Sequence, residues 1–347
     1  MTARTLTIVR PDDWHLHLRD GAEMASVLSQ TTRAFARAVV MPNLRLPVTD
    51  TAGAAAYRAR ILEVLPRGSR FEPLMTLYLT DNTGADEISR AKRSGFVHGV
   101  KYYPAGATTN SDSGVTRIER VHGTLDAMQK HDLPLLVHGE VTTPGVDLFD
   151  RERVFLDTVL AGIVERFPGL RVVVEHASTR EAVDFVLACG PRVAATITAH
   201  HLLYSRGALF SGGFRPHYYC LPVLKREEHR EALMRAAAGG NPKFFLGTDS
   251  APHARADKES HCGHAGIYSA PAAIELYAEA FEQAGALDKL EAFASFHGPA
   301  FYGLPRNAGS ITLFREAWTV PGELPFGART VVPLRAGESV AWRLGRE

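Results

Sequence analysis

His15-Leu16-His17 places two imidazoles at positions i and i+2. In an extended strand such residues share one face, so both rings can reach one metal ion. Four more residues with metal-site chemistry close short apolar runs further along: Lys101, His138, His176 and Asp249. A polar group there is costly to bury unless something answers it. Each has a bland reading alone, since an H-x-H pair or a histidine after an apolar run is often structural. Together, four neutral imidazole nitrogens and one carboxylate suit Zn²⁺, with Mn, Co or Fe as weaker candidates.

Lys101 is out of place in such a set, because an ammonium has no lone pair and repels a cation. Buried beside a metal it loses its proton. The neutral amine can then take up CO2 as a carbamate, whose two oxygens can bridge two metals. The bland reading is a charged lysine at a rim. Arg19 lies two residues past His17, on the same strand face, and its guanidinium pairs strongly and directionally with carboxylates. The competing reading is a surface ion pair. Residues 105–114 are mostly Gly, Thr, Asn and Ser and directly follow the Lys101 strand, which favours a lid over an idle surface loop.

These groups need a frame that brings them together. Eight apolar, β-rich runs recur at 6–18, 35–43, 72–80, 97–104, 133–139, 170–177, 192–199 and 243–251. They lack in/out alternation, as strands buried on both faces do. Amphipathic stretches lie between them at 51–65, 116–130 and 150–167. Ser178 and Glu181 have capping-box spacing for a helix to Leu187, and 225–238 ends at Gly239-Gly240. Alternating strands and helices predict an α/β fold, a (β/α)8 TIM barrel, in which catalytic groups sit at the C-terminal ends of strands. The competing open doubly wound sheet lacks any G-x-G-x-x-G or Walker A run to support it. Residues 1–304 are expected to form the barrel. Residues 305–347, with strand-like runs at 329–334 and 339–344, form a short C-terminal extension packed on it.

Composition narrows the function. Of 347 residues, 39 are Lys or Arg and 38 Asp or Glu, a net charge of +1. That argues against a partner held by bulk charge, either nucleic acid or a membrane surface. No window approaches a membrane span, and the N-terminus has no signal-peptide pattern, so a cytoplasmic protein is expected. Three cysteines are too few for a disulfide framework. His261, Cys262 and His264 lie close together, but without a partner pair elsewhere they are left off the metal set. His200, His201 and His217 receive no role.

The segments DWHLHLRD (13–20), MPN (41–43), KYYPAGATTN (101–110), LLVHGE (135–140), VVEHAS (173–178), YCLPVLKR (219–226) and FLGTDSAPH (245–253) resemble the short bacterial dihydroorotases of the amidohydrolase superfamily. The resemblance runs from about Ile8 to Leu304. H-x-H is shared across the superfamily; H-L-H-L-R-D, A-T-T-N and G-T-D-S-A-P-H together are far more specific. The resemblance implies two Zn²⁺ per chain. His15, His17 and Asp249 would bind one and His138 and His176 the other, with carboxylated Lys101 (N6-carboxylysine) and a hydroxide bridging them. Arg19, Asn43 and His253 would grip a substrate carboxylate. Thr108 and Thr109 would belong to a mobile loop, His138 would also face the substrate, and the backbone of Leu221 and Ala265 would contact a pyrimidine ring. Gly106 stands where close relatives are expected to carry asparagine, which puts loop kinetics in question.

The implied reaction is the reversible cyclisation of N-carbamoyl-L-aspartate to L-dihydroorotate and water in pyrimidine biosynthesis, by a homodimer acting on a small molecule. Asp249 would be the catalytic proton shuttle. The alternatives are another cyclic-amide hydrolase (dihydropyrimidinase- or allantoinase-like) and a non-catalytic scaffold. The former carry a sizeable β-domain built from both chain ends. Here the first strand begins within ten residues and is expected to leave no chain for the N-terminal share. Scaffolds lose ligands, whereas all six ligand positions are present. An adenosine-deaminase-like enzyme needs one metal and no bridging lysine.

Overall fold

Apolar runs without alternation need cover on both faces, and a closed sheet ringed by helices supplies it. In the computed structural model, which describes residues 4–345, the strands are β1 (Thr5–Val9), β2 (Asp12–Leu16), β3 (Arg37–Val40), β4 (Glu72–Tyr78), β5 (Val97–Tyr102), β6 (Leu135–Val137), β7 (Val172–Val174), β8 (Val193–Ile197), β9 (Phe244–Leu246) and β10 (Ser310–Phe314). Strands β2 to β9 form one eight-stranded sheet in chain order, every pair parallel. The ring closes just past β9, where Leu16 bridges Ser250. Asp249 N donates to His15 O at 2.9 Å, and His17 N to Ser250 O at 3.1 Å. This is the (β/α)8 TIM barrel expected from the alternation.

The barrel's lower interior is filled by Trp14, Val39, Met41, Leu74, Leu136, Val173, Ala194 and Phe245 from the strands, with Tyr302 beneath them. Trp14 stacks on Tyr302 with ring centroids 4.3 Å apart. Gly298 makes that stack feasible, because a Cβ there would lie 1.9 Å from the Trp14 indole nitrogen. A larger apolar layer packs between strands and helices.

The run at 6–18 is two strands, not one. Pro11 lacks an N–H for a ladder and marks the break. Strand β1 leaves the barrel and pairs antiparallel with β10, with Ile8 opposite Ile311, while β10 also pairs with Arg343–Leu344. Both chain ends therefore share one small sheet. The expectation that the N-terminus contributes nothing to such a sheet is corrected.

A second difference lies in β2. Strict alternation would put Leu16 beside Trp14 inside the barrel, yet Leu16 packs in the outer layer. The pairing register shifts between Asp13 and Leu16, and such an irregularity re-aims side chains. It turns His15 and His17 toward the mouth.

The helix read at 51–65 spans Thr51–Glu63. The stretch at 116–130 opens with a tight turn at Ile118–Val121 before the helix His122–Lys130. Helix Arg180–Ala188 is capped by Thr179 rather than Ser178: Thr179 Oγ1 accepts from Ala182 N at 3.1 Å. Ser178 N instead donates to the buried Glu152 carboxylate at 3.0 Å, which holds Ser178 outside the helix. The helix ending at Gly239-Gly240 starts at Glu227.

Candidate active site

All six expected ligand residues come from the C-terminal mouth of the barrel. His15 is on β2 and His17 just past it, Lys101 is on β5, His138 directly follows β6, His176 follows β7 and Asp249 follows β9. His15, Lys101, His138, His176 and Asp249 are buried. The Nε2 atoms of His15 and His17 are 3.2 Å apart, and Asp249 Oδ1 lies 3.3 Å and 3.1 Å from them. The His176 ring sits between those of His15 and His138, at 5.0 Å and 4.9 Å.

Arg19, His176 and Asp249 take positive φ of 65°, 43° and 45°. Non-glycine residues rarely adopt that region, and it is held where the surroundings over-determine it. Here Tyr57 OH donates to Arg19 O at 2.5 Å, His176 N donates to Thr196 Oγ1 at 2.8 Å, and Asp249 N is tied to β2. The left-handed turn lets each strand end aim its side chain back over the mouth.

Glu175 is a site residue the sequence reading missed. Its carboxylate contacts Lys101 Nζ, and its Oε1 lies 3.1 Å from His15 Nδ1. A signal was present in VVVEHA, since a carboxylate inside an apolar strand run must find a positive or hydrogen-bonding partner. His138 shows a further difference. Its Nε2 is 2.8 Å from Glu140 Oε2, so its ring is engaged two residues along its own segment.

Among the described residues, buried groups placed to hold a metal ion include His15, His17 and Asp249 in one set and His15, Glu175 and His176 in another. The first is the trio expected from the sequence. The second has Glu175 and His15 where the expectation had His138. His176 Nδ1 is buried with no hydrogen-bond partner. Burial pushes the His17 ring down to about 4 despite Asp249, and drives His176 well below the usual histidine range. Both rings are therefore neutral at neutral pH, the form in which an imidazole can ligate a metal. At His15 burial also favours the neutral ring, but Glu175 and Asp249 outweigh it and raise the ring to about 9. A pocket that pulls a proton onto a buried imidazole would equally welcome a metal cation. Burial lowers Lys101 from the ordinary lysine range against the pull of Glu175, as carbamate chemistry requires. The donor set fits metal.

A third group, His200, His201 and Cys220, is also buried. His201 is already engaged, with Nδ1 at 2.8 Å from Thr198 Oγ1 and Nε2 at 3.2 Å from Pro222 O. His261 and Cys262 are exposed, with His261 Nε2 3.2 Å from Cys262 Sγ.

The expected substrate residues surround the same point. Arg19 Nε donates to Pro252 O at 2.8 Å, and its NH2 is 2.9 Å from His253 Nε2. That imidazole nitrogen also lies 2.9 Å from Ala265 O. Asn43 Nδ2 donates to Thr109 O at 3.2 Å, and Thr109 Oγ1 to Ala265 O at 3.5 Å. Thr108, Thr109, Leu221 and Ala265 line a chamber with His15, His17, His138, His176 and Asp249, closed down to about 20 Å³. That is room for about one water. Outside lies an open cleft of about 920 Å³, bordered by Arg19, Asn43, Thr109 and His253. Thr109 stands between the two spaces. Gly106 sits at the base of this loop with φ of 77° and nothing within 4 Å of a Cβ position. The turn needs a left-handed residue, which glycine supplies without strain.

A family model described as the Amidohydrolase family matches residues 7–330. The chain is 67% identical over 338 residues to a dihydroorotase of Cupriavidus necator, covering 97% of this chain and 98% of that one. Two crystal structures share its architecture. One is a dihydroorotase from Campylobacter jejuni, with TM-score 0.91 and 34% identity, covering 100% of this chain and 99% of that one. The other is a dihydroorotase from Saccharomyces cerevisiae in complex with 5-fluoroorotic acid, with TM-score 0.90 and 30% identity, covering 99% of each.

Proposed function

Since this chain belongs to the amidohydrolase family and, within it, to the dihydroorotases, we propose that its mouth residues run the reversible ring closure of N-carbamoyl-L-aspartate to L-dihydroorotate at a two-zinc centre. Dihydroorotase is the activity of the relatives, and the other cyclic-amide hydrolases are not favoured. The observation that carries the site reading is Lys101. It is a fully buried lysine set against Glu175 at the barrel mouth, and burial lowers it toward the neutral amine that carbamate formation needs.

In this reading His15, His17 and Asp249 would hold one ion and His138 and His176 the other, with Lys101, once carboxylated, as a ligand available to both. With its Nε2 engaged by Glu140, His138 would offer Nδ1 to the second position. When bound, the ions supply Lewis-acid polarisation and lower the pKa of water toward neutrality.

The chain's own groups do the rest. Arg19, Asn43 and His253 grip the carboxylate, which orients the ring amide over the metal pocket. Asp249 takes the proton released as water adds to that carbonyl. It delivers the proton to the amide nitrogen as the C–N bond breaks, and the reverse sequence closes the ring. Thr108 and Thr109 close the chamber and exclude bulk water; opening of this loop admits the substrate.

We place the enzyme in the cytoplasm as a homodimer, in keeping with the family resemblance. Among the described residues no helix is long and apolar enough to cross a membrane. The deciding test follows loss of L-dihydroorotate absorbance with and without chelator, alongside zinc per chain. Activity that survives complete metal removal, or a content near zero in active protein, would overturn the two-zinc reading.

A further inference from the structure

Lys258 ends the short helix Arg255–Lys258 and is buried, 3% exposed. An ammonium has three N–H donors. Here each finds a carbonyl: Tyr219 O at 2.8 Å, His264 O at 2.7 Å and Gly266 O at 2.7 Å. Burial pulls this amine down to about 7, and the three carbonyls aimed at it, drawn from two separate loops around 219–222 and 264–266, favour its charged form. The same loops touch directly, since Gly266 N donates to Tyr219 O at 3.0 Å. Their fit is tight at Gly266, where a Cβ would lie 2.8 Å from Ala251 O and from His253 Cδ2. Leu221, Ala265 and Gly266 from these loops line the reaction chamber beside His17 and Asp249.

We propose that Lys258 is a positioning residue for the substrate ring, acting through the Leu221 and Ala265 backbone that its ammonium holds in place. This rests on the dihydroorotase reading of the chamber. A loop tie alone needs no buried charge; hydrogen bonds between neutral groups would serve. The cation adds polarisation. The His264 carbonyl belongs to the same peptide group as the Ala265 N–H, and a positive charge on that oxygen makes the N–H a stronger donor. The next carbonyl, Ala265 O, is bracketed by His253 Nε2 and Thr109 Oγ1. One side of the chamber thus presents a backbone edge of fixed geometry and enhanced polarity. That edge is suited to the planar C=O and N–H groups of a cyclic amide.

The test compares wild type with Lys258→Met, both loaded with zinc, by L-dihydroorotate kinetics, metal content and thermal melting. A hydrogen bond to a charged group is worth about 1.5–3 kcal/mol, so KM is expected to rise about 10–100-fold. Turnover should stay within a few-fold of wild type, and metal content should be unchanged. A merely structural role would lower yield and melting temperature while leaving KM of the folded, metal-loaded fraction at the wild-type value, and that result overturns the proposal. Should the Met variant be insoluble, Lys258→Gln decides the matter. It keeps a hydrogen-bond donor but carries no charge, so a raised KM with retained turnover is expected, and a wild-type KM overturns the proposal. Wild-type protein that leaves L-dihydroorotate untouched would strike instead the reading on which the inference rests.

Discussion

The Lys101 ammonium rests directly against the Glu175 carboxylate, and neither side chain has exposed surface. The contact spans the mouth from β5 to the residue after β7, passing β6. It keeps the lysine tip over the Tyr103 ring, 4.9 Å from its centroid. Breaking one member of such a buried pair strands the other, at a cost of about 3–5 kcal/mol. Lys101→Ala should therefore lower stability as well as metal content and activity. Short carboxylic acids, which imitate the carbamate, should restore part of the activity. Tight retention of both zinc ions by Lys101→Ala would remove the lysine from the bridge.

Asp249 sits among His15 and His17, and burial works against its charge. The two imidazoles outweigh that and hold its carboxyl well below the usual range. Asp249→Ala should cut turnover by about 10²–10⁴-fold, the usual contribution of a positioned acid/base, while leaving much of the metal bound. Steady-state kinetics with elemental analysis separates the two effects. Retained turnover would exclude it as the proton carrier.

Arg19 is held by Pro252 O and His253 with its guanidinium at the chamber wall. Replacing it by Met removes a charge-assisted pair worth about 1.5–3 kcal/mol, so KM for L-dihydroorotate should rise about 10–100-fold. Metal content should not change. Unaltered KM would show that the substrate carboxylate is gripped elsewhere.

Gly298 is a prediction about stability alone. Because a Cβ there meets the Trp14 indole at 1.9 Å, Gly298→Ala must separate Trp14 from Tyr302 or shift the helix. Overpacking of this kind costs about 1–3 kcal/mol. Thermal melting should fall by several degrees, with KM nearly unaffected in the folded protein. An unchanged melting temperature would show that the stack has slack.

His98 gives a pH prediction. Burial, with Arg37 adding to it, pushes its ring from 6.5 down to about 4. Between those values the unfolded chain binds a proton that the folded chain refuses, so stability rises with pH across the window. The contribution is present above about 6.5 and lost as pH falls toward 4. That loss is at most about 3 kcal/mol, each pKa unit being worth about 1.4 kcal/mol. The drop in melting temperature from pH 7 to pH 5 should be smaller in His98→Gln than in wild type. Equal drops would remove His98 as a source of acid sensitivity.

Much of the candidate site is legible in the sequence alone. The apolar runs and the residues ending them are local features, and a parallel barrel converts a position at a strand end into a position at the mouth. That rule converges His15, His17, Lys101, His138, His176 and Asp249 from segments spread over most of the chain. The details that failed depend on partners distant in sequence. Ser178 reads as a cap until Glu152 claims its N–H. The run at 6–18 reads as one strand until β10 arrives to pair with its first half. Glu175 reads as an ordinary polar neighbour of His176 until Lys101 is found against it.

By itself, the sequence determined which side chains are available: the imidazoles, the lysine, the carboxylate and the arginine at strand ends, the barrel that gathers them, and the family. These follow from residue identity and short-range periodicity. Only the tertiary structure decided how the groups are aimed and neutralised. The register shift in β2, the left-handed turns at His176 and Asp249, the Glu175 contact and the carbonyl cage around Lys258 all arise from neighbours supplied by other strands and loops. Burial sets their charges, and burial is a property of the assembled barrel rather than of any segment in it.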